Sequence, residues 1–192
     1  MIPFGSDSTG YLTGHLLIAM PKMRDPRFTR TVIYMCAHNT EGAMGLVVNR
    51  LMDSLSFDEL LEQLDITDSN AENEIRVHFG GPVESSRGFV LHSSDYHRDG
   101  TLSVDETVAL TATVDILRSI AGGHGPDQSL LALGYAGWGP GQLDQEIQAN
   151  AWLSVQADPE LVFGGDLDTK WDRALAKLGV GSAMFLGDAG HA

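Results

Sequence analysis

Cysteine and basic residues are scarce in this chain of 192 residues. Cys36 is the only cysteine, so neither an intramolecular disulfide nor a thiolate metal cluster can form within one chain. The 12 Lys and Arg residues are outnumbered by 26 Asp and Glu residues, which gives a formal net charge of −14. Because nonspecific binding to nucleic acid depends on cations that neutralise phosphates, this charge makes direct DNA binding unfavourable.

Long apolar runs are also missing from the sequence. No 18 apolar residues occur together, and the first 20 residues lack the basic region and apolar stretch of a signal peptide. The sequence therefore predicts a cytoplasmic protein without a membrane segment. With 43% hydrophobic residues, the chain can bury a sizeable core. We expect one domain over residues 1–192, with an ordered core at about 11–180 and a loosely attached N-terminal arm and C-terminal tail.

Short β-branched and apolar runs between Gly, Asn and Pro residues predict strands. They are expected at residues 15–20, 31–38, 43–49, 75–79, 88–92, 129–135 and 151–156. Asn39 and Gly42 delimit a polar segment that is typical of a tight hairpin connection. The strands at 31–38 and 43–49 are therefore predicted to pair antiparallel.

Two Ser-x-x-Glu capping boxes predict the starts of helices. The first, at residues 56–59, precedes leucines at helical spacing. The second, at residues 103–106, is expected to open a longer helix that ends at the glycine pair 122–123. Further helices are expected at 141–150, from the cap formed by Asp158 and Pro159, and around Trp171 with its end at Gly179.

The order of these elements favours an α+β fold. The predicted strands and helices do not alternate regularly, and at least one hairpin is antiparallel, which argues against a doubly wound parallel sheet. Seven or eight strands with four or five helices predict a strongly bent sheet or small barrel that has helices on its outside.

Two glycine-rich segments are candidates for binding. The segment at 134–142, GYAGWGPGQ, is expected to connect a strand to a helix. Its free N–H groups could hold an anion, but it lacks the P-loop and dinucleotide patterns, so a tight turn with Trp138 as a packing plug is favoured. A second turn contains Gly80 and Gly81 and precedes Arg87. Arg87 could bind a carboxylate or phosphate, or pair with Glu84 at the surface.

The sequence shows no catalytic, cofactor-binding or metal-binding motif. The seven histidines have no HxH or HExxH spacing, and no serine lies in a Gly-x-Ser-x-Gly elbow. Cys36 is predicted to be a small buried residue of a strand. The alternative that remains is an enzyme of hydrolytic or nucleotide-related activity that uses His38 or His92 with nearby carboxylates. It requires a deep pocket and a titratable pair with perturbed pKa values.

Several multi-residue blocks resemble the YqgE/AlgH family of bacterial proteins, in order over about residues 11–180. The blocks are GHLLIAMP at 14–21, DPRF at 25–28, HNTEGAMGLVVNR at 38–50, FGGPV at 79–83, RGFVLHS at 87–93 and GYAGWGPGQL at 134–143, with further matches at 146–147 and 150–152. The resemblance implies a bifurcated, mostly antiparallel sheet that is partly closed into a small barrel and flanked by helices. Relatives carry labels such as transcriptional regulator or uncharacterised protein, and no catalytic residues come with the family.

The leading hypothesis is a non-enzymatic regulatory or binding protein. It would act through a protein partner or a small ligand rather than by direct DNA binding. The expected site combines Asn49, Arg50, Arg87 and Trp138. The glycines that would let a ligand approach the backbone are Gly80, Gly81, Gly137 and Gly139. The nearest feature to a DNA-binding patch is a basic loop with Lys22, Arg24, Arg27 and Arg30.

Overall fold

A computed structural model describes residues 11–67 and 69–179, which form a curved sheet with helices on both faces. The strands are β1 His15–Ala19, β2 Val32–Asn39, β3 Gly42–Val47, β4 Val77–Phe79, β5 Val83–Ser93, β6 Thr101–Ser103, β7 Val108–Thr111, β8 Ser129–Trp138 and β9 Trp152–Gln156. The helices are α1 Phe57–Gln63, α2 Val114–Ala121, α3 Gln142–Gln148, α4 Pro159–Phe163 and α5 Lys170–Lys177, with a 3₁₀ turn at Ala71–Asn73.

The sheet has the order β6-β7-β5-β8-β3-β2-β1-β9, and all of these neighbours pair antiparallel. It divides along β8. The first half of β8 pairs with β5 on one edge and, in parallel, with β4 on the other, whereas residues 136–138 pair with β3. In the part of the chain that the structure describes, the sheet curls into a half-barrel with five α-helices, which confirms the expected α+β class.

The core is divided between the two faces of the sheet. Because side chains alternate along a strand, Leu16 and Ile18 of β1 join one apolar cluster, while Leu17 and Ala19 join another. The first cluster collects residues from six strands and is covered by α4 and α5. The opposite face carries two separate clusters, one beneath α1 and α2 and one beneath α3. Burial on both faces explains the continuous apolar runs in the sequence.

Several elements lie where the local sequence chemistry predicts them. β2 and β3 form the expected antiparallel hairpin, whose turn is closed by a hydrogen bond from the Glu41 N–H to Asn39 Oδ1. The capping box of Ser56 with Glu59 is present at the start of α1. Asp158 caps α4, its carboxylate accepting a hydrogen bond of 2.9 Å from the Leu161 N–H. These predictions are confirmed. Each could be made from the sequence because it depends on hydrogen bonds between residues that are close along the chain.

The prediction of a long helix from residue 103 to the glycine pair at 122–123 is wrong. Residues 101–111 form the hairpin of β6 and β7, and α2 begins only at Val114. Asp105 Oδ1 accepts hydrogen bonds from the backbone N–H groups of Thr107 and Val108, at 2.7 and 2.9 Å. This aspartate closes a turn, and Ser103, the expected helix cap, ends β6. Ser, Thr and Asp side chains bond the backbone in turns as well as at helix starts. The nine strands among the described residues exceed the predicted seven or eight because β6 and β7 were not expected. The expected end of the helix, at Gly122, is confirmed.

The loop within the glycine-rich segment at 134–142 is also shorter than expected. β8 continues through Gly134 to Trp138, so only residues 139–141 connect it to α3. The predicted strand at 75–79 shrinks to Val77–Phe79, and the one at 88–92 extends to Val83–Ser93. The N-terminal arm and the tail from residue 181 lie outside the described residues. Within the described residues, no helix is long and apolar enough to cross a membrane.

Candidate functional site

A cleft of about 280 Å³ lies beside Trp138, and we refer to it as the Trp138 cleft. Its walls come from the loop before β2, the start of β5, the end of β8, α3 and the start of β9. The lining residues are Met23, Asp25, Arg27, Phe28, Pro82, Val83, Gly137, Trp138, Gln142, Glu146, Ala151 and Trp152. The fold thus brings residues 23–28 and 82–83 to the continuous stretch 137–152.

Three aromatic rings form the floor of the Trp138 cleft. Trp152 packs edge-to-face on Trp138, with ring centroids 6.0 Å apart, and on Phe28, with centroids 5.8 Å apart. Trp138 is 7% exposed and Trp152 is 2% exposed, so both rings are held by packing. The Trp152 indole Nε1–H donates to Glu146 Oε1 at 3.2 Å, which fixes a carboxylate in the wall. Trp138 therefore both packs in the core and lines the cleft.

Asp25 and Arg27 form an ion pair at the mouth of the cleft. Arg27 Nη2 lies 2.7 Å from Asp25 Oδ2, and Arg27 Nε donates to Asp25 Oδ1 at 3.0 Å. This hydrogen bonding lowers the pKa of the Asp25 carboxyl below its usual value and raises the pKa of Arg27. The Arg27 guanidinium carbon also lies 5.6 Å from the centroid of the Phe28 ring. A carboxylate and an aromatic ring therefore frame a cation at this position.

Asn49 and Arg50 hold the loop that carries this ion pair. The Arg50 guanidinium donates to the carbonyl oxygens of Arg27 at 2.5 Å, Thr29 at 2.6 Å and Pro26 at 3.2 Å. Asn49 Oδ1 accepts a bond from the Val32 N–H, and its Nδ2 donates to the Arg30 carbonyl, both at 2.9 Å. Neither residue lines the Trp138 cleft. They line a second cleft of about 420 Å³, with Arg76, Asp166 and Asp168 among its other residues.

The predicted glycines have different surroundings. A Cβ at Gly80 would overlap the Gly134 carbonyl, and one at Gly81 would overlap the backbone of Tyr135 and Ala136. These two glycines therefore allow two segments of backbone to pack closely. Gly137 is exposed in the wall of the Trp138 cleft. The Gly139 N–H donates to Gln142 Oε1 at 2.9 Å, which closes the turn before α3.

Arg87 lies apart from the Trp138 cleft. Its Nη1 is 3.5 Å from Glu84 Oε2, and its guanidinium carbon is 5.1 Å from the centroid of the Phe89 ring. Of the residues predicted to form one site, the structure brings Gly137 and Trp138 into one cleft. It places Asn49 and Arg50 beneath the loop that forms one wall, and it leaves Arg87 outside.

Several residues that line the cleft are not among the site residues predicted from the sequence. Asp25, Phe28, Val83, Glu146 and Trp152 each belong to, or directly adjoin, a motif block that resembles the YqgE/AlgH family. Their place in these motif blocks was the only sequence feature that could have pointed to them as site residues. The proximity of residues 25–28 and 83 to residues 137–152 could not be read from the sequence, because only the packing of the sheet brings these stretches together.

The two histidines of the enzyme hypothesis lie in separate surroundings. His38 Nε2 is 3.5 Å from Asp144 Oδ1, while its Nδ1 accepts a bond from the Leu12 N–H at 3.1 Å. Desolvation lowers the pKa of His38, and Asp144 opposes that effect. Both ring nitrogens of His92 lie 2.8 Å from an oxygen, in Ser93 and in Thr111. Among the described residues, no group of three His, Cys, Asp or Glu residues could hold a metal ion.

Comparison with known proteins identifies the family. A family model described as AlgH-like matches residues 16–183. The chain belongs to the AlgH-like family. A UPF0301 protein from Rhodospirillum rubrum is 55% identical over 183 residues, which cover 95% of each chain. Another, from Rhodopseudomonas palustris strain BisB18, is 57% identical over 197 residues, covering 97% of this chain and 92% of the relative.

Two solved structures resemble this AlgH-like chain. The solution structure of the AlgH protein from Pseudomonas aeruginosa has a TM-score of 0.78 and 44% sequence identity, and the match covers 98% of this chain and 100% of that one. A crystal structure of a protein from Corynebacterium diphtheriae has a TM-score of 0.69 at 19% identity and covers 91% and 93% of the two chains. The second likeness shows the fold alone.

Proposed function

We propose that this AlgH-like chain is a non-enzymatic regulatory or binding protein of the cytoplasm. It binds a protein partner or a small ligand in the Trp138 cleft and does not act by direct binding to DNA. The observation that carries the proposal is the convergence of three stretches of the chain, residues 23–28, 82–83 and 137–152, on a cleft with a closely packed aromatic floor and polar groups at its rim. A concavity that combines aromatic surface with a few fixed polar groups is typical of a binding site.

The size of the Trp138 cleft supports a small occupant. Its volume of about 280 Å³ is at the lower limit of ordinary ligand pockets. A side chain of a partner protein or a small metabolite fits such a space, whereas a dinucleotide requires far more. The role proposed for Asn49 and Arg50 is to hold the wall formed by residues 26–30, which they bind through backbone carbonyls.

Two of the four cations in the basic loop are paired with carboxylates. Arg27 pairs with Asp25 at 2.7 Å. Arg30 lies 3.4 Å from Asp172 and stacks on Trp171, with its guanidinium carbon 4.2 Å from the ring centroid. Because paired cations contribute less to counterion release, the loop supports protein or ligand binding better than phosphate binding.

A matched pair of variants tests the proposal. Val83 lines the Trp138 cleft and is 36% exposed, and Val114, on α2, is 40% exposed and lines a different groove. Wild-type protein, Val83→Tyr and Val114→Tyr are used for affinity capture from the native cytoplasm, with mass spectrometry of proteins and small molecules. We expect a bound species that Val83→Tyr loses and Val114→Tyr keeps. Equal recovery by all three proteins would contradict the role of the cleft.

The contact of His38 with Asp144 favours a second candidate, a hydrolytic or nucleotide-related enzyme. If that candidate is right, a hydrolase screen detects turnover that is lost in His38→Gln and kept in Val83→Tyr. Activity that survives His38→Gln would exclude His38 as the base. The position of His38, buried beneath Tyr11 with Nδ1 bonded to Leu12, favours a structural role instead.

A further inference from the structure

We infer that the Trp138 cleft receives a cationic side chain, a Lys ammonium or Arg guanidinium, from a basic segment of a partner protein. This inference rests on the proposed function of the cleft and names the chemistry of its occupant. Three features carry it: the two carboxylates in the wall, the guanidinium already seated on Phe28, and the charge of the whole chain.

The carboxylates of Asp25 and Glu146 both line the cleft. Glu146 accepts a bond from the Trp152 indole through Oε1, and no ion pair to Glu146 is present among the described residues. A carboxylate offers about four acceptor sites on its two oxygens, so the indole leaves most of that capacity free. A cation that enters the cleft can therefore bind the free acceptor positions of the Glu146 carboxylate, which the Trp152 indole holds in place.

Arg27 shows that the mouth of the cleft accommodates a guanidinium. It contacts the Asp25 carboxylate and lies over the Phe28 ring, two interactions that a cation from another chain can also make. The Arg27 side chain is 58% exposed, so packing does not lock it in place. An incoming Lys or Arg side chain can exchange with it at Asp25, while the released Arg27 remains in water.

The walls and the overall charge agree with this occupant. Pro82, Val83 and Phe28 provide apolar surface for the methylene stem of a Lys or Arg side chain. The net charge of −14 attracts a basic segment over a distance and repels a polyanion. Charge complementarity of this kind accelerates association between proteins.

A titration monitored by NMR tests the inference on the wild-type protein. The probes are N-acetyl-lysine methylamide and N-acetyl-arginine methylamide, with the norleucine and glutamate analogues as controls. The indole N–H signals of Trp138 and Trp152 report on the cleft. The indole of Trp171, which donates to the Ala19 carbonyl at 2.8 Å, is the internal reference. We expect saturable shifts of the first two signals with the cationic probes and none with the controls. Shifts produced by the glutamate analogue would overturn the inference.

Two charge variants separate a cation site from an anion site. In Arg27→Met the Asp25 carboxylate and the Phe28 face become available, so binding of the cationic probes should tighten by roughly twofold to fivefold. An anion site would lose binding in this variant. In Glu146→Gln, which keeps an acceptor for the Trp152 indole, binding should weaken by a similar factor. Glu62→Gln, an exposed acid on α1, is the control and should change nothing.

A last comparison separates a protein partner from a free polyamine. A tri-lysine peptide should bind more tightly than putrescine, because its backbone and neighbouring cations also contact the acidic surface. Preferential binding of putrescine would overturn the assignment to a protein. If the capture experiment shows a species that depends on the cleft while no cationic probe binds, the inference fails and the proposed function stands. If capture shows no dependence on Val83, the proposed function itself fails.

Discussion

The guanidinium of Arg50 lies 2.5 Å from the carbonyl oxygen of Arg27. The same side chain binds the Thr29 carbonyl at 2.6 Å, so one arginine at the end of the β3 segment fixes the conformation of the loop before β2. Since Asp25, Arg27 and Phe28 all line the Trp138 cleft, the shape of the cleft depends on this contact.

Arg50→Met should therefore loosen the loop without unfolding the sheet. The N–H groups of Phe28 and Thr29, both bonded to the Asp25 carbonyl, should exchange with solvent roughly tenfold faster in the variant. Hydrogen exchange measured by mass spectrometry checks this. Arg87→Met, whose arginine pairs with Glu84 elsewhere, is the matched control and should leave both amides unchanged.

Gly81→Ala should destabilise the protein by roughly 2–3 kcal/mol, because its Cβ would overlap the backbone of Tyr135 and Ala136. Gly139→Ala should be nearly neutral, since the nearest atom to its Cβ would be Gln142 Oε1 at 3.8 Å. Urea unfolding at equilibrium gives both free energies. Equal losses of unfolding free energy in the two variants would show that close backbone packing does not require glycine at position 81.

Asp105→Ala should cost about 1–2 kcal/mol, since its carboxylate accepts the N–H bonds that close the hairpin of β6 and β7. Glu106→Ala should change the free energy of unfolding by no more than about 0.5 kcal/mol, because this exposed side chain caps no helix. Thermal unfolding of the two variants compares the costs. A larger loss at Glu106 would support the helix that the sequence pattern suggested.

Acidification should destabilise the fold through His78. This ring is 6% exposed and lies 3.1 Å from the Leu131 carbonyl, and burial lowers its pKa to about 4, against 6.5 for a free histidine. The unfolded chain therefore binds a proton that the folded chain excludes between these values. Stability should fall as the pH drops from about 6.5 to about 4, by roughly 3 kcal/mol from this group.

Free energies of unfolding at several pH values check this expectation. The wild-type curve should be steeper than that of His78→Gln. Some slope should persist in the variant, because burial also lowers the pKa values of His38 and His92. Parallel curves for the two proteins would show that His78 is not responsible.

DNA binding should be absent or insensitive to salt. The arginines of the basic loop that pair with Asp25 and Asp172 are not free to neutralise phosphates, and the chain carries a net charge of −14. A gel-shift titration with duplex DNA at low and moderate salt is the measurement. A shift that disappears with added salt would restore direct DNA binding as a candidate.

The family blocks and the short-range signals were readable from the sequence. The Asn39 turn, the capping box at Ser56 and the cap at Asp158 each depend on neighbours within four residues, so the local sequence predicts them. The helix predicted from Ser103 and Glu106 is absent because a Ser-x-x-Glu pattern is also compatible with a turn, and Asp105 closes that turn here. Pairing of β7 with β5 then favoured the strand.

The sequence by itself therefore determined the class of the fold, the position of most strands and the acidic net charge of the chain. Only the tertiary structure decided that Phe28, Val83, Trp138, Glu146 and Trp152 share one cleft. It also decided that Arg87 lies outside this cleft and that Arg50 supports the wall. The reason is physical: periodicity and capping report interactions within a few residues, whereas a cleft is formed by the way distant strands and loops pack around a curved sheet.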